Sequence, residues 1–279
     1  MKSIAFCFLI YDKIEHEELW YNFFKNIDKN KYSIYIHSKK NTTLKYFNEY
    51  IVDNLIDTRY CTPSIINAHN ILFKKACNDN NYKIISLSGA CIPVKSFDHI
   101  YDFCTKNDKC IFNVCPRGDI LPGWRGVSSL KQFYKQEHIQ KAANWFILNN
   151  SVAKILTNEE STEIQKKYRG CGCPEEHYFL TTIYDKGLES NVTEIPNIQD
   201  GGVTMTNWNE PTYKYGGGYA TNYKGRWPKY YETIEKEEID YLFTRPCLFA
   251  RKFKEDCLVL PDNILLCNYV TNKLITISK

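Results

Sequence analysis

The sequence predicts an α/β fold in which a mostly parallel central sheet is flanked by helices, as a single domain over residues 1–279. Three observations carry that expectation. Short apolar runs rich in β-branched residues recur through the first hundred positions, stretches with helical spacing separate them, and no repeat or linker interrupts the chain. Strands that alternate with helices pair in parallel through crossover connections, and such sheets bind ligands at the carboxyl ends of their strands.

Taken in order, "SIAFCFLIY" (3–11) is a continuous apolar run, the pattern of a strand covered on both faces. "HEELWYNFFKNI" (16–27) is amphipathic at helical spacing, and "YSIYIH" (32–37) returns to β-branched and aromatic residues. In "TPSIINAHNILFKKACN" (62–78), Thr62 stands as the cap and Pro63 in the first turn, where a missing N–H leaves no bond unmade. "YKIISLSGA" (82–90) is the next buried strand. The second half is less regular: "ANWFILNN" (143–150) reads as strand, "SVAKILTN" as helix, and Pro174 opens the helix "EEHYFLTTIYD". Between 198 and 232 Gly, Tyr and Asn dominate, as in "YKYGGGYATNYKGRW", a composition suited to a loop that covers a site. "TIEKEEIDYLFT" (233–244) returns to helix, and "CLFARKF" (247–253) reads as an apolar strand ending in two cations.

Composition narrows the function. A chain of 279 residues with 43% hydrophobic and 24% charged residues buries a large core. A net charge of +4 without long like-charged runs excludes a dedicated nucleic-acid binder and leaves room only for a local basic pocket. The apolar run in "MKSIAFCFLIYDK" is too short to span a bilayer and no cleavage site follows it, so a cytoplasmic setting is expected, a host's cytoplasm if the AT-rich codon bias behind the Lys, Asn, Ile and Tyr content is viral. In that setting the 12 cysteines are expected as reduced thiols, and the sequons at Asn41, Asn149 and Asn191 as unused.

The densest chemistry lies in "CGCPEEHYFL" (171–180), where Glu175, Glu176 and His177 follow a helix-opening proline. First-turn acids are favoured by the helix macrodipole, typically by about 0.3–1 kcal/mol, which by itself accounts for both glutamates. Cys171 and Cys173 have C-x-C spacing without a second pair nearby in the sequence, so zinc is not expected. A scan of every aspartate finds no Asp-x-Asp triplet, and the strand end "SGACIP" offers Gly89, Ala90 and Cys91, none of them a hard oxygen ligand for magnesium or manganese.

Five stretches, "LWYNFFKNIDKNKYSIYIHS", "SLSGACIPVKSFDHIYDF", "HIQKAANWFILNNSVAKIL", "CGCPEEHYFLTTI" and "CLFARKF", resemble in order the successive blocks of the core-2/I-branching glycosyltransferases and their plant-type relatives. The resemblance covers nearly the whole chain. It implies a GT-A-like fold, a UDP-sugar donor, a glycan acceptor and inversion at the anomeric carbon, with 1–115 as the nucleotide-sugar half and 116–279 as the acceptor and catalytic half. Inversion by direct displacement needs one carboxylate to take the acceptor proton. "PEEH" matches the family's proline, acidic, glutamate, histidine pattern with Glu176 as that base; Glu175 is by default a capping charge and otherwise a neighbour of the acceptor, and His177 a structural histidine.

With no cofactor and no divalent metal expected, cations must meet the leaving diphosphate. The resemblance assigns that role to Lys252, with Lys229 as the second cation and Arg226 close by. Arg251 is adjacent to Lys252, and in a continuous strand its side chain takes the opposite face. Ile36, His37 and Ser38, at the end of their strand, and Gly89 stand at the expected nucleotide edge; Trp208 falls where the family places an aromatic against the acceptor sugar, and Arg125 in "GWRG" is a weaker acceptor candidate. Trp145 reads as core.

Overall fold

The computed structural model describes residues 1–115, 127–196, 202–207 and 228–277. Its described elements are β1 (Ile4–Ile10), α1 (Glu17–Phe24), β2 (Tyr32–Ser38), α2 (Pro63–Asn78), β3 (Lys83–Ser88), β4 (Ile92–Pro93), α3 (Phe97–Thr105), β5 (Cys110–Val114), α4 (Val127–Leu130), β6 (Ile147–Asn149), α5 (Asn150–Leu156), α6 (Ser161–Tyr168) and α7 (Glu175–Asp185). There follow β7 (Val192–Pro196), β8 (Thr204–Thr206), β9 (Tyr231–Glu235), α8 (Lys236–Thr244), β10 (Phe249–Arg251), β11 (Phe253–Leu260), β12 (Ile264–Leu265) and α9 (Leu266–Ile277). Among the described residues no helix is long and apolar enough to cross a membrane.

The central sheet runs β2-β1-β3-β6-β5-β7, parallel except for β6, which lies antiparallel to both β3 and β5. This is the expected mostly parallel α/β sheet, and β6 and β7 come to it from beyond residue 115. Strand alternation divides the core. From β1, Ile4, Phe6, Phe8 and Ile10 face a cluster with Trp20 and Phe24 of α1, Phe97 of α3, Leu242 of α8 and Val270 of α9. Ala5 and Cys7 face the other cluster, with Phe73 of α2, Val152 of α5, Tyr168 of α6 and Phe179 of α7.

Local chemistry sets the boundaries. Thr62 caps α2 only by position: its hydroxyl donates to the Arg59 carbonyl and pairs with Ser64 Oγ rather than closing on the helix. Asn149 is buried, and its carboxamide oxygen accepts from Val152 N to cap α5, so a glycan on that sequon is incompatible with the fold. Two expectations need correction at the carboxyl-terminal end. Thr233–Glu235 belong to β9, so the helix read from residue 233 begins only at Lys236. "CLFARKF" is not one strand: β10 pairs with β4 and β8, β11 pairs with β9 and β12, and Lys252 falls in the break between the two small sheets. Alternation holds within a continuous strand, so the opposite-face argument for Arg251 and Lys252 lapses. The thiol expectation also changes at one pair, because Cys61 and Cys173, 112 positions apart, form a disulfide while the other ten cysteines are free.

Burial of histidines gives this fold a pH limit. His16 is buried, His69 packs among Phe73, Phe146 and Phe179, and His177 is buried in the first turn of α7. Burial pushes their pKa values down to about 4, 3 and 4. An unfolded chain takes up these protons below about 6.5 while the folded chain does not until about 4, so the stability they contribute is lost as pH falls through that window. The slope is about 1.4 kcal/mol per histidine per pH unit. Glu175, raised by burial to about 7, acts with opposite sign and offsets one of the three. We expect the urea midpoint to fall steadily between pH 6 and 5; a flat or rising midpoint would contradict neutral burial of these rings.

Candidate active site

The site forms where three segments reach the carboxyl rim of the sheet. β3 ends there at Ser88, and Gly89–Cys91 follow, all buried. Because β6 runs antiparallel to β3, the residues that precede it, Asn144 and Trp145, reach the same rim. Backbone bonds from Cys115 N to the Lys141 carbonyl (2.9 Å) and from Ala143 N to the Asn113 carbonyl (2.9 Å) tie the approach to β6 against the end of β5.

Helix α7 brings the carboxylates. Pro174 occupies its N-cap with helical dihedrals, and its carbonyl accepts from His177 N (3.0 Å) and Tyr178 N (2.9 Å), so the first turn closes without a side-chain cap. Tyr178, Phe179, Leu180 and Ile183 bury the helix against the second core cluster. The Gln140 carbonyl accepts from His177 Nδ1 (2.8 Å) and from the Thr181 hydroxyl (3.2 Å), Gln140 N donates to that hydroxyl (3.0 Å), and Ala142 N donates to the Glu176 carbonyl (2.8 Å). His177 is therefore structural, with its proton on Nδ1. These bonds hold Lys141 beside the helix, where its ammonium lies 3.2 Å from Glu176 Oε2; the Glu176 side chain keeps 18% of its surface exposed.

Glu175 behaves differently from its neighbour. It is buried, its Oε2 has no hydrogen-bond partner, and burial, reinforced by the Glu176 charge, raises its pKa to about 7. A hydrogen bond from its own backbone N–H, then the Asn144 side chain and the Lys141 charge, work the other way. A carboxyl withdrawn from water without full compensation holds its proton near neutral pH. Above the helix start sits Tyr60, an exposed phenol whose pKa is raised by desolvation and then by the charges of Glu176 and Glu175, with Arg251 opposing them.

The cations approach from the small sheets. The Arg251 guanidinium lies 4.4 Å from the centroid of Trp145, its Nε is buried without a partner, and desolvation lowers its pKa. The Lys252 ammonium lies 5.4 Å over Tyr230; desolvation first and the Arg251 charge second lower its pKa. Both charges act on the Cys91 thiol, which burial raises. Arg251 and Lys252 thus address the same rim position after β3. Trp145 is partly exposed and carries Arg251, a correction to its reading as core. Lys229 is near in the chain path, since Tyr231 N donates to the Lys252 carbonyl (2.8 Å), but its own ammonium lies 4.4 Å over Tyr231.

The expected nucleotide edge is tightly packed. Ile36, His37 and Ser38 are buried; His37 Nε2 accepts from Ile56 N (3.1 Å), and the Ser38 hydroxyl donates to the Lys40 carbonyl (2.8 Å). Gly89 has no room for a side chain, because a Cβ would lie 2.3 Å from the Lys13 carbonyl oxygen, and its own carbonyl accepts from Glu15 N (2.8 Å). Trp208, Arg226, Arg125 and most of the aromatic loop lie outside the described residues. Sequence reading missed Tyr60, Lys141 and Asn144. No spacing could have found them, because only the antiparallel β6 and the Cys61–Cys173 link bring them to α7.

A six-stranded, mostly parallel central sheet flanked by helices is the α/β architecture of a GT-A-like fold, the fold class of many glycosyltransferases. The Core-2/I-Branching enzyme family matches residues 4–242, most of the chain, and the protein belongs to that family. Glycosyltransferase BC10 of Oryza sativa subsp. japonica is similar to it, 23% identical over 297 aligned positions that cover 90% of this chain and 73% of the relative.

Proposed function

We propose that this glycosyltransferase moves a sugar from a UDP-sugar, UDP-N-acetylglucosamine or UDP-xylose, to a hydroxyl of a glycan acceptor with inversion and without a divalent metal. The observation that carries the reading is Glu176: a partly exposed carboxylate at the start of α7, fixed by Lys141, on the rim where Arg251 and Lys252 converge. Glu176 takes the acceptor proton as the acceptor oxygen bonds to the anomeric carbon. The bond from that carbon to the diphosphate oxygen breaks on the opposite face, which inverts the centre. Lys141, 3.2 Å from Oε2, holds the Glu176 carboxylate in place at the helix start.

Charge then builds on the departing diphosphate, where Lys252 and Arg251 meet it, with Lys229 as the further candidate. A unit charge pair at 4 Å contributes about 4 kcal/mol at an effective dielectric of 20, so two cations are of the size needed to stand in for a metal. Metal independence rests on the residues: the strand end where an Asp-x-Asp motif belongs reads "SGACIP". The alternative, a glycan- or nucleotide-binding protein of the same fold without turnover, is disfavoured because Glu176 and Lys252 are both present.

The test is a thermal-shift and transfer assay over a UDP-sugar panel, with and without EDTA. UDP is expected to raise the melting temperature equally in both arms, and transfer to proceed in EDTA. Transfer abolished by chelation and restored by manganese would overturn metal independence; UDP binding without turnover on any donor would favour the binding protein.

A further inference from the structure

We propose that Cys61, Cys173 and Glu175, once the disulfide is reduced, form a binding site for a thiophilic divalent cation of the zinc class. One ligand atom from each residue lies within 4.8 Å of the other two. The three arrive from separate places: Cys61 from the loop ahead of α2, Cys173 from the turn ahead of α7, and Glu175 as the first residue of α7. On a tetrahedral zinc, with bonds to sulfur of about 2.3 Å and to oxygen of about 2.0–2.2 Å, ligand atoms stand roughly 3.5–3.8 Å apart. Breaking the disulfide frees the two sulfurs to separate to that spacing, with a Glu175 carboxylate oxygen already within 4.8 Å of both.

Several independent features favour such an occupant. Glu175 Oε2 is buried without a hydrogen-bond partner, and a metal bond satisfies an oxygen that is otherwise costly to hide. Two sulfur donors beside one carboxylate select zinc-class ions over magnesium, calcium or manganese. Two thiolates and a carboxylate around a divalent ion carry a net charge of minus one. That charge sits at the amino-terminal end of the 11-residue helix α7, where the macrodipole favours it. Cys61 and Cys173 are only partly buried, so reductant and ion have access, whereas Cys171 is buried with its thiol toward the Gly172 carbonyl. Three protein ligands leave the fourth position for water.

The chemistry balances with an external dithiol as reductant. It gives two electrons and two protons and becomes a disulfide, while the Cys61–Cys173 sulfur–sulfur bond breaks to two thiols. Ion binding then releases both thiol protons, together with the proton that the Glu175 carboxyl holds near neutral pH, to solvent and forms two metal–sulfur bonds and one metal–oxygen bond. Disulfide and ion are therefore mutually exclusive occupants of one position, and either ties α2 to α7 one residue from Glu176. The site is distinct from the diphosphate position beside Cys91, and its test does not depend on transfer.

The full chain is reduced with a dithiol, freed of reductant anaerobically and titrated with cobalt(II). One equivalent is expected to produce thiolate-to-cobalt charge-transfer absorption that zinc(II) displaces and that oxidised protein does not show. Cys61→Ser and Cys173→Ser should weaken binding at least about tenfold, and Glu175→Gln by a similar factor, with circular dichroism establishing that each variant is folded. Alkylation mapping on the wild-type chain serves if a variant fails to fold: zinc should protect Cys61 and Cys173 selectively. No charge-transfer band from reduced protein, an undiminished band in both serine variants, or protection of other cysteines instead would each overturn the proposal.

Discussion

Glu176→Gln is expected to lower sugar transfer by at least about a hundredfold while leaving UDP affinity within a few-fold of wild type, since removal of a general base costs on the order of 10²–10⁴ in rate. The split follows from position. The carboxylate sits at the start of α7 in contact with Lys141, whereas the cations assigned to the diphosphate come from β10 and from the break after it. Glutamine keeps the shape and still accepts from Lys141, so the first turn of α7, closed by the Pro174 carbonyl, has no reason to open. Single-turnover rates and UDP titrations on the same preparation check this. Near-normal transfer by the variant would take Glu176 out of the chemistry and turn attention to Glu175, whose raised pKa suits a group that exchanges a proton near neutral pH.

Lys252→Ala is expected to weaken UDP binding and slow transfer together, with a loss in transfer of about 2–4 kcal/mol, because the charge it meets is present in the donor and grows as the bond breaks. Sequence alternation alone assigns Arg251→Ala a much smaller effect. The break at Lys252 removes the basis of that expectation, and both cations act on Cys91 at the rim, with Arg251 stacked on Trp145 and its Nε unpartnered. Arg251→Ala should therefore cost transfer on the same scale. Arg251→Lys should recover only part of it, because an ammonium lacks the planar fork and the ring stacking. Kinetics of the three variants in parallel decide the matter. An Arg251→Ala enzyme with full activity would leave Lys252 alone on the diphosphate, and a normal Lys252→Ala enzyme would require that site to be reassigned.

Much of this architecture was legible along the chain. The apolar runs that became β1, β2 and β3, the helix over Pro63–Asn78 and the proline start of α7 are local signals, set by side-chain period and by what proline does to a helix entry, and they survive folding nearly unchanged. The sequence also determined the chemistry on offer: a carboxylate pair behind Pro174, adjacent cations in "LFARKF", and a strand end without a hard ligand.

What only the tertiary structure decided was which of these groups meet, and in what state. "LFARKF" reads as one strand because each residue suits a strand; that it breaks at Lys252 is settled by pairing partners in two different sheets, which no local pattern encodes. Glu175 and Glu176 are identical residues at consecutive positions, and the sequence gives them one electrostatic rationale. Folding buries one with an oxygen left unpartnered and leaves the other partly exposed beside Lys141, because rotation of about 100° per residue around a helix sends neighbours into different surroundings. Cys61 and Cys173 lie 112 positions apart, and their juxtaposition at the mouth of α7 depends on α2 and α7 packing on the same face of the sheet. Proximity between segments distant in the chain is a property of the packed core, and a core is assembled from the whole sequence at once.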